Sequence, residues 1–346
     1  DISTMFIINN NNNNKQRKNM NNLKKIGLTA LAGSLVATSV FAGELAVSGT
    51  ATLEMAHVNG GGANAGKSFS MGNSVNFAGA GEMDNGWTVA VAFELDQGAA
   101  DPGMGANGAA VSTTTNNNNP FDSHSVTIGM GDIGTFVFAG HGGSSAASAV
   151  DDTTGEIWDY QGTTTDPSTG ATGNNSMKFT NSSMVDGLSV AVSYLPHSTA
   201  VHTSSTDFAI AYSGYEGLVV GYADGESSKG AVATHADVKT MYANYTMGPV
   251  KVAYHQNEFD SATDASDQDF TAYSVSYTVS ENLSVMYGVA EVVTPLVSTD
   301  VDQEVTGLAV AYTAGGMGIS VSTGSIDNAG YSSAVTADEE WWEIDL

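Results

Sequence analysis

The chain reads ELAVSGTATLEMA over residues 44–56, and its residue types alternate along the whole run. Odd-numbered positions carry Leu, Val, Gly, Ala and Met, whereas even-numbered positions carry Glu, Ala, Ser and Thr. Successive side chains of a β-strand point to opposite faces, so one face of this strand is apolar and the other is small or polar. The two-residue period therefore predicts a strand that separates an apolar medium from a hydrophilic one.

The same period recurs along the rest of the chain. In residues 87–95, Trp, Val, Val, Phe and Leu alternate with Thr, Ala, Ala and Glu. Counting such segments together with their turn residues predicts sixteen strands. They lie near 44–57, 69–82, 87–96, 123–130, 135–141, 176–182, 187–195, 206–214, 217–225, 236–246, 249–258, 269–279, 282–293, 303–313, 317–325 and 339–346.

The connections between these strands alternate in length. Short turns rich in Gly, Asn and Asp lie near 84–86, 131–134, 183–186, 215–216, 248, 280–281 and 314–316. Longer polar loops lie near 58–68, 97–122, 142–175, 196–205, 226–235, 259–268, 294–302 and 326–338. This alternation predicts antiparallel neighbours, with all turns at one end of the sheet and all loops at the other.

The hydrophilic faces of the strands consist mostly of Ser, Thr, Ala and Gly, with few charges. Faces with so few charges cannot form the water-exposed surface of a soluble protein, so we expect water inside the sheet and lipid outside. Only closure satisfies every backbone hydrogen bond in lipid, and a barrel of about sixteen strands encloses an aqueous channel. The predicted fold class is all-β, a sixteen-stranded antiparallel transmembrane β-barrel. An outward aromatic girdle is predicted from Tyr194, Tyr212, Tyr222, Tyr254, Tyr277, Tyr287 and Tyr312.

Charge and motif content exclude several classes of function. From Gly43 onward the chain has five basic residues, all Lys, and 36 acidic ones, a formal net charge of about −31. A nucleic-acid partner is excluded by that sign. The G-x-G-x-x-G run at 129–134 is followed by a strand instead of a helix, and the seven His residues show no zinc spacing. With no Cys and no nucleophile elbow, we expect no enzyme, cofactor or metal.

The first 42 residues have the pattern of an export leader. Lys24 and Lys25 precede an apolar stretch over 26–40, and small residues end at Ala42. We expect residues 20–42 to be a signal peptide, cleaved before Gly43. A membrane-spanning helix is the alternative, but it needs about 20 apolar residues. Residues 1–19, with their Asn tract, are interpreted as an upstream low-complexity segment, which leaves 43–346 as the barrel.

Two stretches are similar to the Gram-negative general porins. SVTIGMGDIGTFVFAGH, residues 125–141, resembles the fourth strand, tight turn and fifth strand of that family. NSMKFTN, residues 175–181, followed by GLSVAVSY, residues 187–194, resembles the sixth and seventh strands. The resemblance implies a homotrimer in the outer membrane, among its lipid and lipopolysaccharide. It also implies a third loop that folds inward, and passive diffusion of small hydrophilic solutes and ions.

The resemblance also implies positions for the narrowest part of such a channel. The constriction loop corresponds to residues 142–175, with acidic members Asp151, Asp152, Glu156 and Asp159. Lys178 matches a basic position on the barrel wall opposite the loop, and His141 stands where the family often has Arg. Since no Arg follows Gly43, the cationic side of the constriction is expected to be weak, which favours cations.

Alternation assigns four further residues to the inner wall. Glu54 and Glu94 fall on the hydrophilic faces of their strands and are expected to line the pore. Lys251 and His255 share the corresponding face of their own strand.

Members of the family end with a complete last strand and a terminal aromatic residue. This sequence ends at Leu346, so we expect several residues to be missing.

Three other functions remain as alternatives. A substrate-specific porin would place aromatic residues in the lumen, and Trp158 and Tyr160 are candidates. A secreted acidic all-β adhesin or surface-layer protein could bind calcium through Asp264, Asp267 and Asp269, although the EF-hand Gly and final Glu are absent. A barrel hydrolase would need Ser and His together on the outer wall.

Overall fold

The structure is a computed structural model. It describes residues 44–60, 66–96, 121–150, 154–155, 174–196, 204–227, 236–261, 267–294, 301–329 and 338–346. Among these residues, no helix is long and apolar enough to cross a membrane. The expected leader and the four acidic residues of the predicted constriction loop lie outside the described residues.

Sixteen antiparallel strands form one closed barrel, and each strand pairs with its neighbours in the chain. The predicted fold class is confirmed. The strands are β1 Glu44–Gly60, β2 Gly66–Glu82, β3 Thr88–Asp96, β4 Phe121–Gly129, β5 Thr135–His141, β6 Ser176–Asn181, β7 Leu188–Leu195, β8 Ser205–Tyr215, β9 Leu218–Ser227, β10 Ala236–Met247, β11 Val250–Asp260, β12 Gln268–Ser280, β13 Leu283–Val293, β14 Gln303–Ala314, β15 Met317–Asp327 and β16 Glu339–Asp345.

The last strand closes the barrel on the first. β16 pairs with the second half of β1, in a register that sets Glu54 opposite Asp345 and Gly60 opposite Glu339. The backbones of Leu53 and Leu346 exchange two hydrogen bonds of 2.9 Å. Over this stretch neither strand keeps a free edge, which in lipid would leave backbone groups without partners.

The strand order sets the short turns at one end of the barrel, and the strand ends that lead into the longer connections lie at the other end. The β6–β7 turn illustrates why Gly is required at the turn end. Gly187 has φ +75°, and a Cβ at this position would collide with the backbone of Gly214 on β8. A residue with a side chain would therefore force both the turn and the neighbouring strand to move.

Apolar side chains face outward and small or polar ones face inward over most of the wall. On β1, Leu45 and Val47 are 63% and 59% exposed, whereas Glu54 and Ala56 are buried. Residues paired across strands share a face, so the same division continues around the ring. A soluble β-protein would show the reverse division, with apolar rows packed inside.

The seven tyrosines predicted for the aromatic girdle lie on the outward face. Six of them are well exposed, and Tyr254 is partly covered by the ring of Tyr273, whose centre lies 5.1 Å away. Tyr212, Tyr277 and Tyr312 lie within a few residues of the turn end of their strands. Aromatic rings at such positions match the interfacial belt of a membrane barrel.

One region of the inner wall departs from the sequence expectation. At the loop end of β1 and β12–β16, inward positions carry apolar side chains that pack on one another. Their members are Val58, Phe270, Ala272, Ala290, Val292, Val305, Ile326 and Trp341, each no more than 5% exposed. Alternation predicted only which face each of these residues occupies. It could not show that each residue would pack against neighbours on five other strands.

Candidate functional site

The connection between β5 and β6 runs along the inner wall in its described part. Ala146 and Ala147 are fully buried against Ala191, Ala209 and Ala223, which are inward residues of β7, β8 and β9. A short 3₁₀ helix, Ala147–Val150, also contacts β8, β9 and β10. Small residues on the connection and on the inner wall allow this close approach, because a larger side chain would hold the two backbones apart.

Hydrogen bonds fix the start of this connection to the wall. The backbone N–H of Ala146 donates to Ser193 Oγ at 2.6 Å, and Ser193 Oγ donates to Asp207 Oδ2 at 3.2 Å. The other carboxylate oxygen, Asp207 Oδ1, accepts the backbone N–H of Glu226 at 2.8 Å. We refer to Ser193 and Asp207 as the latch. Both side chains are buried, so the latch holds a carboxylate inside the barrel with hydrogen-bond donors on both oxygens.

A second described part of the connection touches the opposite wall. Gly155 has φ +81°, and a Cβ added to it would collide with the side chain of Met286. Met286 lies on the inner face of β13 and is 2% exposed. In a closed ring of sixteen strands, β5 and β13 are eight strands apart in either direction. Residue 155 therefore lies inside the barrel, on the far side from the strand that the connection leaves.

Lys178 is an inward residue of β6, and its side chain reaches the root of the connection. Its Nζ donates to Ser144 Oγ at 2.5 Å. In the register it lies between Val137 of β5 and Ser193 of the latch. The resemblance placed Lys178 on the wall across from the loop, and the structure instead brings it beside the loop's first residues.

Glu54 and Glu94 both face inward, as alternation indicated. Glu94 is 1% exposed and its Oε2 accepts the hydroxyl of Ser123 on β4 at 3.0 Å. Glu54 is 7% exposed and lies beside the acidic end of β16. Both lie in largely covered positions on the inner wall.

Three inward carboxylates meet where β1 and β16 close the barrel. Oxygen atoms of Glu54, Glu343 and Asp345 all lie within 4.8 Å of one another. Ser320 of β15 donates to Asp345 Oδ2 at 3.1 Å. We call these three residues the seam carboxylates. They are the only group of three or more His, Cys, Asp or Glu side chains in the described part of the chain that is close enough together to hold a metal ion.

Sequence reasoning missed three members of these groups. Glu343 and Asp345 fall on the face opposite Trp342 and Ile344, so the period that identified the strand also indicated two inward acids. Asp207 alternates in the same way on β8. Their contacts to one another and to the loop depend on neighbouring strands, which a single strand's pattern does not specify.

The histidines singled out from the sequence are each in contact with another ring. His141 pairs with His124 on β4, and the two imidazoles stack with ring centres 6.3 Å apart. His255 is fully buried, lies 2.8 Å from Thr240 Oγ1 through Nε2, and meets the ring of Phe270 edge-on. His255 therefore packs in the inner wall, while Lys251 is partly exposed on the same face.

Inward charges in the described part of the chain are mostly negative. The inward lysines are Lys178 on β6 and Lys251 on β11. The inward acids are Glu54, Glu82, Glu94, Asp207, Glu339, Glu343 and Asp345. Most of these acids lie on β16, β1, β2 and β3, which are neighbours in the ring. Where these side chains are ionised, such a wall favours a negative potential on one side of an enclosed water column.

Several solved structures share this fold. The porin of Rhodopseudomonas blastica, as a triple mutant, is 15% identical, with a TM-score of 0.61 over 87% of this chain and 98% of that one. Salmonella typhi OmpF in complex with daunomycin is also 15% identical, with a TM-score of 0.61 over 89% of this chain and 99% of the other. The anion-selective porin of Comamonas acidovorans is 14% identical, with a TM-score of 0.60 over 87% and 98% of the two chains.

Comparison at the level of sequence gives evidence of a different kind. No curated protein sequence matches the chain. The family model for Gram-negative porins matches residues 27–345, which is nearly the whole sequence. A family model of that coverage, together with the closed sixteen-stranded barrel and its inside-out wall, shows that this chain belongs to the Gram-negative porin family.

Proposed function

We propose that this porin prefers cations among the small hydrophilic solutes and ions that diffuse passively through it. Family membership makes the protein a general diffusion channel of the outer membrane, not an enzyme. The observation that supports the preference is the excess of carboxylates on the inner wall, concentrated at the seam carboxylates. The soluble calcium-binding adhesin is set aside, because its wall would have the opposite polarity.

The physical basis is the field that fixed charges produce in confined water. A low-dielectric wall weakens screening, so each uncompensated carboxylate raises the local concentration of cations and lowers that of anions. A difference of about 1.4 kcal/mol between the two ions gives a tenfold preference. Lys178 and Lys251 oppose this field, but they are outnumbered among the described inward side chains.

The fold alone does not set the sign of the preference. The Comamonas acidovorans porin has a similar fold and is anion-selective. Identity and position of the inward charges must therefore decide which ion passes more readily.

A reversal potential measured across a planar bilayer in a KCl gradient tests the proposal. We expect the sign that corresponds to K⁺ permeating faster than Cl⁻. Replacing the seam carboxylates together (Glu54→Gln, Glu343→Gln and Asp345→Asn) should reduce the potential. Glu291→Gln and Glu304→Gln, on the exposed outward face, are matched controls that should leave it unchanged. A reversal potential of the anion-selective sign in the unmodified protein would overturn the proposal.

We further propose that the protein is exported with cleavage before Gly43 and assembles as a homotrimer among outer-membrane lipid and lipopolysaccharide. The leader pattern supports the export step. Mass determination of the protein from outer-membrane fractions would identify its first residue. Cross-linking followed by gel migration of unheated samples would report three subunits, whereas a monomer under both treatments would contradict the trimer.

A further inference from the structure

His124 and His141 lie side by side at the loop end of β4 and β5, and neither is accounted for by the channel function. Their backbones are paired in the sheet, next to a shift in register between His124 and Ser125. We propose that these two imidazoles bind one late first-row divalent cation, such as Zn²⁺, Ni²⁺ or Cu²⁺. This site is independent of ion permeation and lies apart from the seam carboxylates.

The separation of the two rings suits a shared metal ion. Their centres are 6.3 Å apart and their planes differ by 17°. Two imidazoles that bind one ion through nitrogens at about 2.0–2.1 Å have ring centres roughly 5–6.5 Å apart, depending on the angle at the metal. The observed spacing falls within that range, and a small rotation of either side chain would reach a bent geometry.

Gly140 makes room for this arrangement. It is the extra residue that the register shift leaves on β5, between Ala139 and His141. A Cβ at position 140 would collide with Nε2 of His124, so the imidazole lies directly over the glycine. The imidazole of His124 thus reaches across to β5.

His124 also has an unsatisfied nitrogen. Its Nδ1 is buried and has no hydrogen-bond partner in the described structure. A buried polar atom without a hydrogen-bond partner is uncommon in folded proteins, and a ring nitrogen in that state can bind an ion. Imidazole nitrogen is a preferred ligand of late first-row metals, which follow the order Ni²⁺ < Cu²⁺ > Zn²⁺ in affinity.

The position of the pair gives the bound ion a structural consequence. His141 is the last residue of β5, so the chain leaves the wall for the lumen directly after it. An ion shared with His124 would tie the root of that connection to β4. Because the ion binds the folded barrel, it should also raise the thermal stability of the protein.

Calorimetric titration of the full chain in detergent with Ni²⁺, and electron paramagnetic resonance of the Cu²⁺-loaded protein, test the site. We expect His124→Phe and His141→Phe each to bind one equivalent less than the unmodified protein, since phenylalanine keeps the ring but offers no nitrogen. The double variant should lose the same single equivalent. His57→Phe is the matched control, because His57 Nδ1 already contacts Gly66 O at 2.7 Å and its ring lies near Trp342.

Gly140→Ala provides a variant that keeps both histidines. The added methyl group should displace the His124 imidazole, so one equivalent should again be lost. Cu²⁺ in the unmodified protein should show coupling to two imidazole nitrogens, and heat-dependent gel migration verifies that each variant is folded. The proposal is overturned if folded His124→Phe or His141→Phe binds as many ions as the unmodified protein, which would reduce the pair to ring stacking.

Discussion

Ser193 is the residue through which the wall holds the start of the inward connection. It accepts the backbone N–H of Ala146 and donates to Asp207, all in a buried setting. Ser193→Ala removes one hydrogen-bond partner from the N–H of Ala146 and one from the carboxylate of Asp207. Leaving a buried polar group unsatisfied costs about 1–3 kcal/mol. We expect a lower unfolding temperature on heat-dependent gels and noisier single-channel currents. Ser189→Ala, on the same face of β7 but outside the latch, is the control.

That prediction fails if Ser193→Ala and Ser189→Ala give the same stability and the same current noise. Such a result would mean that packing of Ala146 and Ala147 holds the connection without help from the latch.

Gly155 sets how closely the connection approaches β13. Both its φ of +81° and its contact with Met286 disfavour a side chain at this position. Gly155→Ala should push the segment away from the wall and alter single-channel conductance. Met286→Ala in the same chain removes the colliding atoms, so the double variant should recover part of the original conductance. Equal conductance in the unmodified protein and Gly155→Ala would show that the contact does not position the segment.

The alternating pattern predicted which face each wall residue occupies, but not what it touches. Glu54 and Glu94 face inward as predicted, since their orientation follows from the strand period alone. The seam carboxylates form only after β16 closes on β1, between residues nearly 300 positions apart in the chain. The family resemblance placed Lys178 on the wall, but it did not indicate the hydrogen bond to Ser144.

At the scale of the strand, the sequence predicted well which strands exist and where each begins and ends. β5 has the predicted bounds, and β2 begins three residues earlier than expected. Gly66, Lys67 and Ser68 carry no apolar alternation, yet they pair with the extended end of β1 and so belong to the ladder. Backbone pairing extends a strand beyond its amphipathic part, which explains why the differences lie at the ends.

The two faces of a single strand should respond differently to charge. On β8, Ile210 points outward and is 41% exposed, whereas Ala211 points inward. Ile210→Lys places an ammonium group on the lipid face, where such a substitution costs about 2–4 kcal/mol near the middle of the bilayer. We expect Ile210→Lys to lower folding stability in urea titrations from lipid vesicles, and Ala211→Lys to lower it much less. Equal losses would contradict the assignment of faces.

At the scale of the whole molecule, strand count and loop alternation were sufficient to predict a closed barrel. Sixteen segments joined by alternating short and long connections make each strand antiparallel to its neighbours. An open sheet edge would leave backbone groups without hydrogen-bond partners in lipid, so the sheet must close. The apolar cluster around Phe270 and Trp341 could not be predicted in this way. Its members lie on six neighbouring strands and together exclude water from part of the inner wall, which the pattern of a single strand does not specify.

The proposed preference for cations would be a property of the summed field, and salt should therefore weaken it. The Debye length falls from about 10 Å at 0.1 M to about 3 Å at 1 M, so concentrated salt confines the influence of each carboxylate to its immediate neighbourhood. Reversal potentials measured at one concentration ratio but two absolute concentrations should give a K⁺ over Cl⁻ permeability ratio that falls toward one in the concentrated pair. For the triple variant Glu54→Gln, Glu343→Gln and Asp345→Asn, we expect a permeability ratio that is closer to one in the dilute pair and that changes less with concentration. A ratio that stays constant across concentrations would point to selection by pore size or by direct ion binding, and it would count against a field set by the inner wall.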